Sequence, residues 1–415
     1  MDRKSFLNSM FLQREFLAVF IVIVNTFSWY FPLYFFFENI LRKIPMEFTS
    51  LLATYGIHYA MVIAFAVIGT ALVKRFSSRE AFLSVWMFIG IIASALMVAL
   101  ETVDTAYIWL VSFILGSSLG LGLPSGLAYF GDHSTEERRG RLGGITFFAS
   151  GLCIFLVGLL ISFSTLIVGV MILAMWRGLG LFLFLLVRPK QIIRKENVAE
   201  VSYKSILLDK SFLLYLVPWI MFCLINFLET PIASILFGAE IASLVPIAEY
   251  GIGGLAALIG GWFADSVGRK RVVVFGFIML GIGYAVLGLF PSIILSWYVY
   301  IILDGFAWGI FSLMFFMVIW SELAGNRVKE KYYLIGVLPW LISAYIQILF
   351  TPFAELIAVS AAFSLASFFL FLAVFPLMYA TETLPEKKIE LRRVKGYVEQ
   401  AKKVREKYLK KGSGA

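Results

Sequence analysis

The chain alternates long apolar runs with short polar clusters from one end to the other. A helix needs about 20 apolar residues to cross roughly 30 Å of hydrocarbon, and the runs divide into such pieces with almost no remainder. They fall near residues 16–38, 48–73, 81–100, 105–131, 142–162, 166–187, 211–237, 241–264, 272–290, 293–320, 332–353 and 356–379. Three stretches exceed a single crossing. Residues 142–187 hold one ionisable group, Arg177, and as one helix would measure about 69 Å, twice a bilayer. They must fold back, and Ser162-Phe163-Ser164-Thr165 is the natural turn. The stretch 272–321 holds only Asp304 and breaks at Pro291-Ser292; 332–381 holds only Glu355 and breaks beside Pro352.

Composition agrees with this pattern. With 61% hydrophobic and 15% charged residues and 41 phenylalanines among 415 positions, the chain has too little polar surface to cover a soluble globule. The reading is an all-α integral membrane protein with twelve transmembrane helices. Charge then orients it, because cytoplasmic connections hold an excess of Lys and Arg. Alternate connections and both ends collect thirty-two basic residues, whereas the opposite connections hold only Arg42 and Lys43. This predicts a multi-pass protein of the cytoplasmic membrane with both termini in the cytoplasm. The first run is too long, and lacks the cleavage site, for a removable signal peptide. Cys153 and Cys223 fall inside spans with no ligand spacing around them, so neither disulfide nor metal is expected.

A polar linker at 188–210 separates an N-terminal unit, 1–187, from a C-terminal one, 211–380. Features recur across it: Gly69 to Arg79 matches Gly261 to Arg271 in position, and Asp132 to Arg141 matches Glu322 to Lys331. Two pseudo-symmetric six-helix bundles follow, with the solute site at their interface near mid-depth. The tail, 381–415, carries eleven basic and four acidic residues after Pro385, and Val394, Val398, Ala401, Val404 and Tyr408 recur at helical spacing. It reads as a basic amphipathic helix on anionic lipid headgroups; nothing accompanies the charge to suggest nucleic acid.

The segment Gly260-Gly261-Trp262-Phe263-Ala264-Asp265-Ser266-Val267-Gly268-Arg269-Lys270-Arg271 is the most informative dozen residues. Its acid, glycine and three bases form a tight turn beside the membrane, with Gly268 free to take positive φ. The spacing G-x-x-x-D-x-x-G-R-K resembles the signature of the major facilitator superfamily of secondary transporters. So do Ser205 to Leu214, similar to that family's lead-in to helix 7; Trp320-Ser321-Glu322 with Arg327, similar to its helix 10 end; and Glu136 with Arg138 to Arg141, similar to its helix 4 end. Thr381-Glu382-Thr383-Leu384-Pro385 resembles the close of the sugar-porter branch. The resemblance implies two bundles rocking about a cavity lined by spans 1, 4, 7 and 10. There are departures. The N-half copy has Val73 and Lys74 where an acid is expected, span 4 lacks an arginine in Leu115 to Gly120, and span 5 lacks a Gly-Pro pair. These disfavour a drug antiporter of the usual kind, and they predict a charge clamp with its acid in the C-terminal half.

Two groups of candidate residues follow. A gate on the cytoplasmic face draws on Gly261, Asp265, Gly268, Arg269, Lys270, Glu322 and Arg327, with Asp132, Glu136 and Arg139 from the first half. Asp265 would pair with arginines across the bundle, and Glu322 with Arg269. Ionisable groups inside spans are costly and therefore functional candidates. Asp304, at mid-depth before Gly305 and Gly309, is the foremost for proton or solute binding, followed by Glu249, Glu229 and Arg177. Arg177 either neutralises one of these acids or snorkels toward the cytoplasm. Asn25, Asn226, Gln347 and Trp308 add neutral hydrogen-bonding and aromatic groups suited to a sugar, an organic acid or an amphipathic compound. With no phosphate-binding loop and no nucleophile beside a base, neither ATP-driven transport nor enzyme chemistry is expected, and no cofactor. The expectation is a monomeric secondary transporter moving a small organic solute, with protons as the coupling ion. The alternatives are an uncoupled facilitator or a non-transporting sensor or lipid-binding protein on the same scaffold.

Overall fold

The computed structural model describes residues 14–101, 104–187, 199–242, 244–384 and 394; between 236 and 249 it describes the course of the helices but not the side chains. The expected tail helix and residues 188–198 of the linker lie outside the described residues. Twelve long helices account for nearly all the rest. They are α1 (Arg14–Leu41), α2 (Phe48–Leu72), α3 (Arg79–Ala95), α4 (Thr105–His133), α5 (Arg139–Ser162) and α6 (Leu166–Val187) in the first half. In the second half they are α7 (Lys210–Ala242), α8 (Leu244–Val267), α9 (Arg269–Leu289), α10 (Ile294–Phe311), α11 (Lys329–Phe350) and α12 (Val359–Tyr379). Among the described residues eleven are long and apolar enough to cross a membrane, and α8 is the twelfth long helix.

The breaks fall where local chemistry puts them. Ser164 turns its hydroxyl onto the Ile161 carbonyl (2.8 Å) to close α5. Ser78 and Asp104 cap α3 and α4 by accepting from Ala81 N and Tyr107 N, each at 3.1 Å. Pro291 and Ser292 separate α9 from α10. One feature has no sequence warning. After Phe311, α10 widens into a π-helical segment, Ser312–Val318, before resuming as Ile319–Ala324. Every side chain of that segment is buried, and such π-bulges concentrate at functional sites.

Burial is inverted relative to a soluble protein. Leu186, Phe368 and Met378 are 60% or more exposed on outer faces, whereas Asp304, Arg177, Asp265 and Arg269 are buried. Outward apolar side chains face lipid, and polar groups gather where helices meet. The halves meet mainly along α5 with α8 and α2 with α11, and α4 and α5 touch the π-helical part of α10. The α5–α8 seam is a ladder of small residues. A Cβ on Gly140 would stand 2.6 Å from the Gly261 carbonyl, one on Gly144 2.5 Å from that of Ala257, and one on Gly151 2.9 Å from that of Tyr250. Backbone thus lies on backbone for about three turns across the junction.

Candidate functional site: a central cavity and a closed basic face

A cavity of about 310 Å³ lies between the halves, bounded by α1, α2 and α5 on one side and α7, α8, α10 and α11 on the other. The end nearer the basic connections is closed by rings. Phe27 of α1 stands 5.9 Å from Phe147 of α5 and 6.0 Å from Phe316 of the π-helical segment, and Trp340 of α11 packs on Phe316 and Phe31. From this floor the lining runs past Tyr30, Asn226, Trp308 and Tyr300 to Tyr34, Ser234, Trp297 and Gln347, nearer the opposite helix ends.

Polar groups on the second-half wall form one network. Asn226 donates to Asp304 Oδ1 (2.9 Å) and accepts from Trp308 Nε1 (3.0 Å). Tyr300 donates to Glu229, and the Tyr284 ring lies 5.2 Å from that of Tyr300. Asn226, Glu229, Trp308 and Gln347 line the cavity, whereas Asp304 stands behind Asn226, 1% exposed. Gly305 and Gly309 do not open room for a ligand. A Cβ on Gly309 would strike the Gly253 backbone, so these residues let α10 approach α8.

Arg177 and Asn25 are elsewhere. Both are buried inside the first half, where Arg177 donates to Asn25 Oδ1 (2.8 Å) and Thr26 Oγ1 (3.2 Å), and Asn25 donates to the Trp176 carbonyl. The guanidinium lies 4.5 Å from the Trp29 ring centre and 4.7 Å from that of Trp86. It neither snorkels nor meets an acid, because aromatic faces and an amide hold it in place of a carboxylate. Glu249 is on α8 just before the cavity-lining Tyr250, but its side chain is outside the described residues.

On the basic face the gate candidates converge. Asp265, wholly buried, accepts from Gly140 N (2.9 Å) and Arg141 N (3.0 Å) at the start of α5, and pairs with Arg269 (2.8 Å) and Arg141 (3.4 Å). Arg269 continues to Glu322 (3.1 Å) and the Glu136 carbonyl (2.6 Å), and Arg139 also reaches Glu322 (3.4 Å). Gly261 allows α8 onto α5, and Gly268 has φ 111° at the start of α9, where Glu382 accepts from the amides of Arg269 and Lys270. An acid there stabilises the positive end of the helix. Lys270 Nζ donates to the Met378 and Ala380 carbonyls, and Arg327 pairs with Asp209.

The charge clamp is not confined to the second half. Arg79 binds Asp132 of its own half and Glu330 of α11 (2.6 Å), and Lys329 returns to Asp132. The degraded copy at 69–79 lacks its own acid, so the acid comes from the end of α4 and the start of α11. Outside both clusters, Glu200 of the linker joins Lys74 of the first half to Lys331 of the second. The hydrogen bond from Lys74, more than any other influence, holds the Glu200 carboxyl below its ordinary range. Sequence reasoning missed Arg79, Glu200, Glu330 and Glu382 as partners. It also missed the cavity rings Phe27, Tyr59 and Trp297, which have no local signal among 41 phenylalanines and 10 tryptophans.

Residues 2–158 match the model of the Major Facilitator Superfamily, and the helix pairing described above extends that architecture through the rest of the chain. Over those residues the chain matches that superfamily, and the fold of the whole is the major facilitator fold. Its fold is similar to that of the proton:xylose symporter XylE bound to 6-bromo-6-deoxy-D-glucose, with TM-score 0.67 and 15% identity over 91% of this chain and 97% of that one. It is equally similar to the major facilitator transporter FucP in the outward conformation, with TM-score 0.67 and 12% identity over 88% and 98%. No curated protein matches the sequence. At these identities the shared property is the major facilitator fold, and the solute has to be argued from the cavity itself.

Proposed function

We propose that this major facilitator protein is a secondary transporter that moves a small organic solute across the cytoplasmic membrane by alternating access. Its termini and basic face are in the cytoplasm, and the arrangement described above is the state closed on that face. The observation that carries this reading is the pairing of two features: a solute-sized cavity between the halves, and ion pairs that cross between the halves on one side of it only among the described residues. Contacts made in one state and broken in the other are what a two-state gate requires. The bundles 1–187 and 211–380 are its moving parts and the linker 188–210 their tether. The charge of the tail 381–415, eleven basic against four acidic residues after Pro385, is what supports anionic lipid headgroups as its partner.

Proton coupling is assigned to Asp304. A buried carboxylate linked through Asn226 to the cavity wall can exchange its proton with the state of the site. Proteoliposomes test both parts. Wild-type protein should accumulate its solute under an imposed pH gradient. Asp304→Asn should retain only downhill exchange. Unchanged pH-driven accumulation in that variant would leave an uncoupled facilitator, and a solute that binds but never crosses would leave a sensor.

A further inference from the structure

We propose that the solute is an organic cation, an amine or quaternary ammonium compound whose charged head lies against Glu229 among the cavity's aromatic faces. This rests on the reading of the cavity as the solute site and goes beyond it by naming the charge.

Three observations point the same way. The first is the charge of the wall. Among the described lining residues Glu229 is the one acidic side chain, with no Lys, Arg or His in the lining, and no described residue forms an ion pair with it. A carboxylate desolvated without a counter-charge is costly; it is relieved by a proton or by a cation, and a cationic solute supplies the second while displacing the first. An anionic solute would meet the same carboxylate at low dielectric and be repelled.

The second is the aromatic content. Thirteen of the twenty-three lining residues are Phe, Tyr or Trp. Ring faces carry negative potential and attract ammonium groups most strongly where water is excluded. Trp297 and Tyr300 stand near Glu229 on the same wall, with Trp308 and Trp340 deeper.

The third is how the wall's donors are used. Tyr59 donates to Tyr34, Tyr300 to Glu229, Trp308 to Asn226, Asn226 to Asp304, Thr230 to the Asn226 carbonyl and Ser234 to the Thr230 carbonyl. A polyol needs donors as well as acceptors to replace its water, and these donors already have protein acceptors. With these donors engaged, what the wall around Glu229 offers is a carboxylate and π-faces, which suit a solute that brings its own N–H groups or a methylated cationic head, while the Trp340 indole and the Gln347 amide add neutral groups elsewhere in the lining. The sugar named for the xylose symporter therefore does not carry over with the fold.

The test is binding to the purified full chain in detergent, read by tryptophan fluorescence and calorimetry, with probes that differ only in charge. Phenethylammonium is compared with 2-phenylethanol and phenylacetate, choline with 3,3-dimethylbutan-1-ol, and D-xylose and D-glucose are included. We expect an ammonium probe to bind at least about tenfold more tightly than its neutral isostere and the carboxylate not at all. Glu229→Gln should lose about tenfold or more for the cation while leaving the alcohol within about twofold. If Glu229→Gln does not fold, Trp340→Leu should weaken the cation more than the alcohol. Preference for a sugar or a carboxylate, equal affinity for cation and isostere, or no binding by any ammonium probe overturns the proposal. Glu229-dependent binding of a cation that proteoliposomes do not move would overturn the transport reading and leave this one. Transport of a sugar with no cation binding would do the reverse.

Discussion

Replacing Asp265 by asparagine should open the basic face. Its carboxylate accepts two amide protons, from Gly140 and Arg141, across the junction between the halves, and both contacts are lost if α5 and α8 separate there. Its pair with Arg269 lies within the second half and stays in either state. Hydrogen bonds to a charged group are worth about 1.5–3 kcal/mol each, and a neutral amide oxygen roughly half as much. Asparagine also has one acceptor where aspartate has two, and it leaves Arg141 without its 3.4 Å partner. The closed state should therefore lose about 2–3 kcal/mol relative to the open one, a shift of about 30- to 150-fold in their ratio. Spin labels at exposed positions on the ends of α4 and α10 would report this by pulsed-dipolar distance measurement. The long-distance population should rise steeply in Asp265→Asn. An unchanged distribution, with thermal unfolding showing the variant folded, would refute the assignment of Asp265 to the gate.

Other substitutions test other parts of the structure. Gly268→Ala should lower the melting temperature by the equivalent of about 1–2 kcal/mol, because φ 111° strains any Cβ and this one meets the Glu382 carboxylate. Gly251→Ala, with open space at its Cβ, is the neutral control. Gly144→Ala should cost about 1–3 kcal/mol by forcing a Cβ against the Ala257 carbonyl, and should shift distances across the α5–α8 seam rather than within either half. Arg177→Lys should melt lower than Arg177→Met, since lysine keeps a buried charge but gives up the flat stack between Trp29 and Trp86. The Glu200 contribution to closure should be complete above the ordinary carboxylate pKa of about 4 and should disappear as pH falls through the lowered value in the folded chain. Glu200→Gln should flatten that acid limb in a distance or fluorescence titration, with only a small effect at neutral pH because the pair is exposed.

The helices were legible because membrane insertion imposes a length and an apolar composition on each segment separately. Ser162-Phe163-Ser164-Thr165 and Pro291-Ser292 mark breaks between α5 and α6 and between α9 and α10. The least accurate boundary is between α7 and α8, where continuous apolar sequence carries α7 to Ala242, past the expected end near 237. The Asp265 segment was legible too, since its acid, glycine and bases are adjacent in sequence. Arg79 with Glu330 was not. Those residues are 251 positions apart, and nothing local to either names the other.

The sequence by itself determined a membrane protein of twelve long helices, a strong charge bias to one set of connections, and the identity of one cluster on that face. Those are local properties, set by what each segment can bury or expose in lipid and water. Tertiary structure alone decided which intramembrane polar residues share a site. It brought Asn226, Glu229 and Trp308 to the cavity, put Asp304 behind them, and left Asn25 and Arg177 inside the first bundle. The reason is rotational. A polar side chain at mid-depth satisfies lipid exclusion equally well facing the cavity or a neighbouring helix, and only the packing of that helix against the others fixes which way it turns.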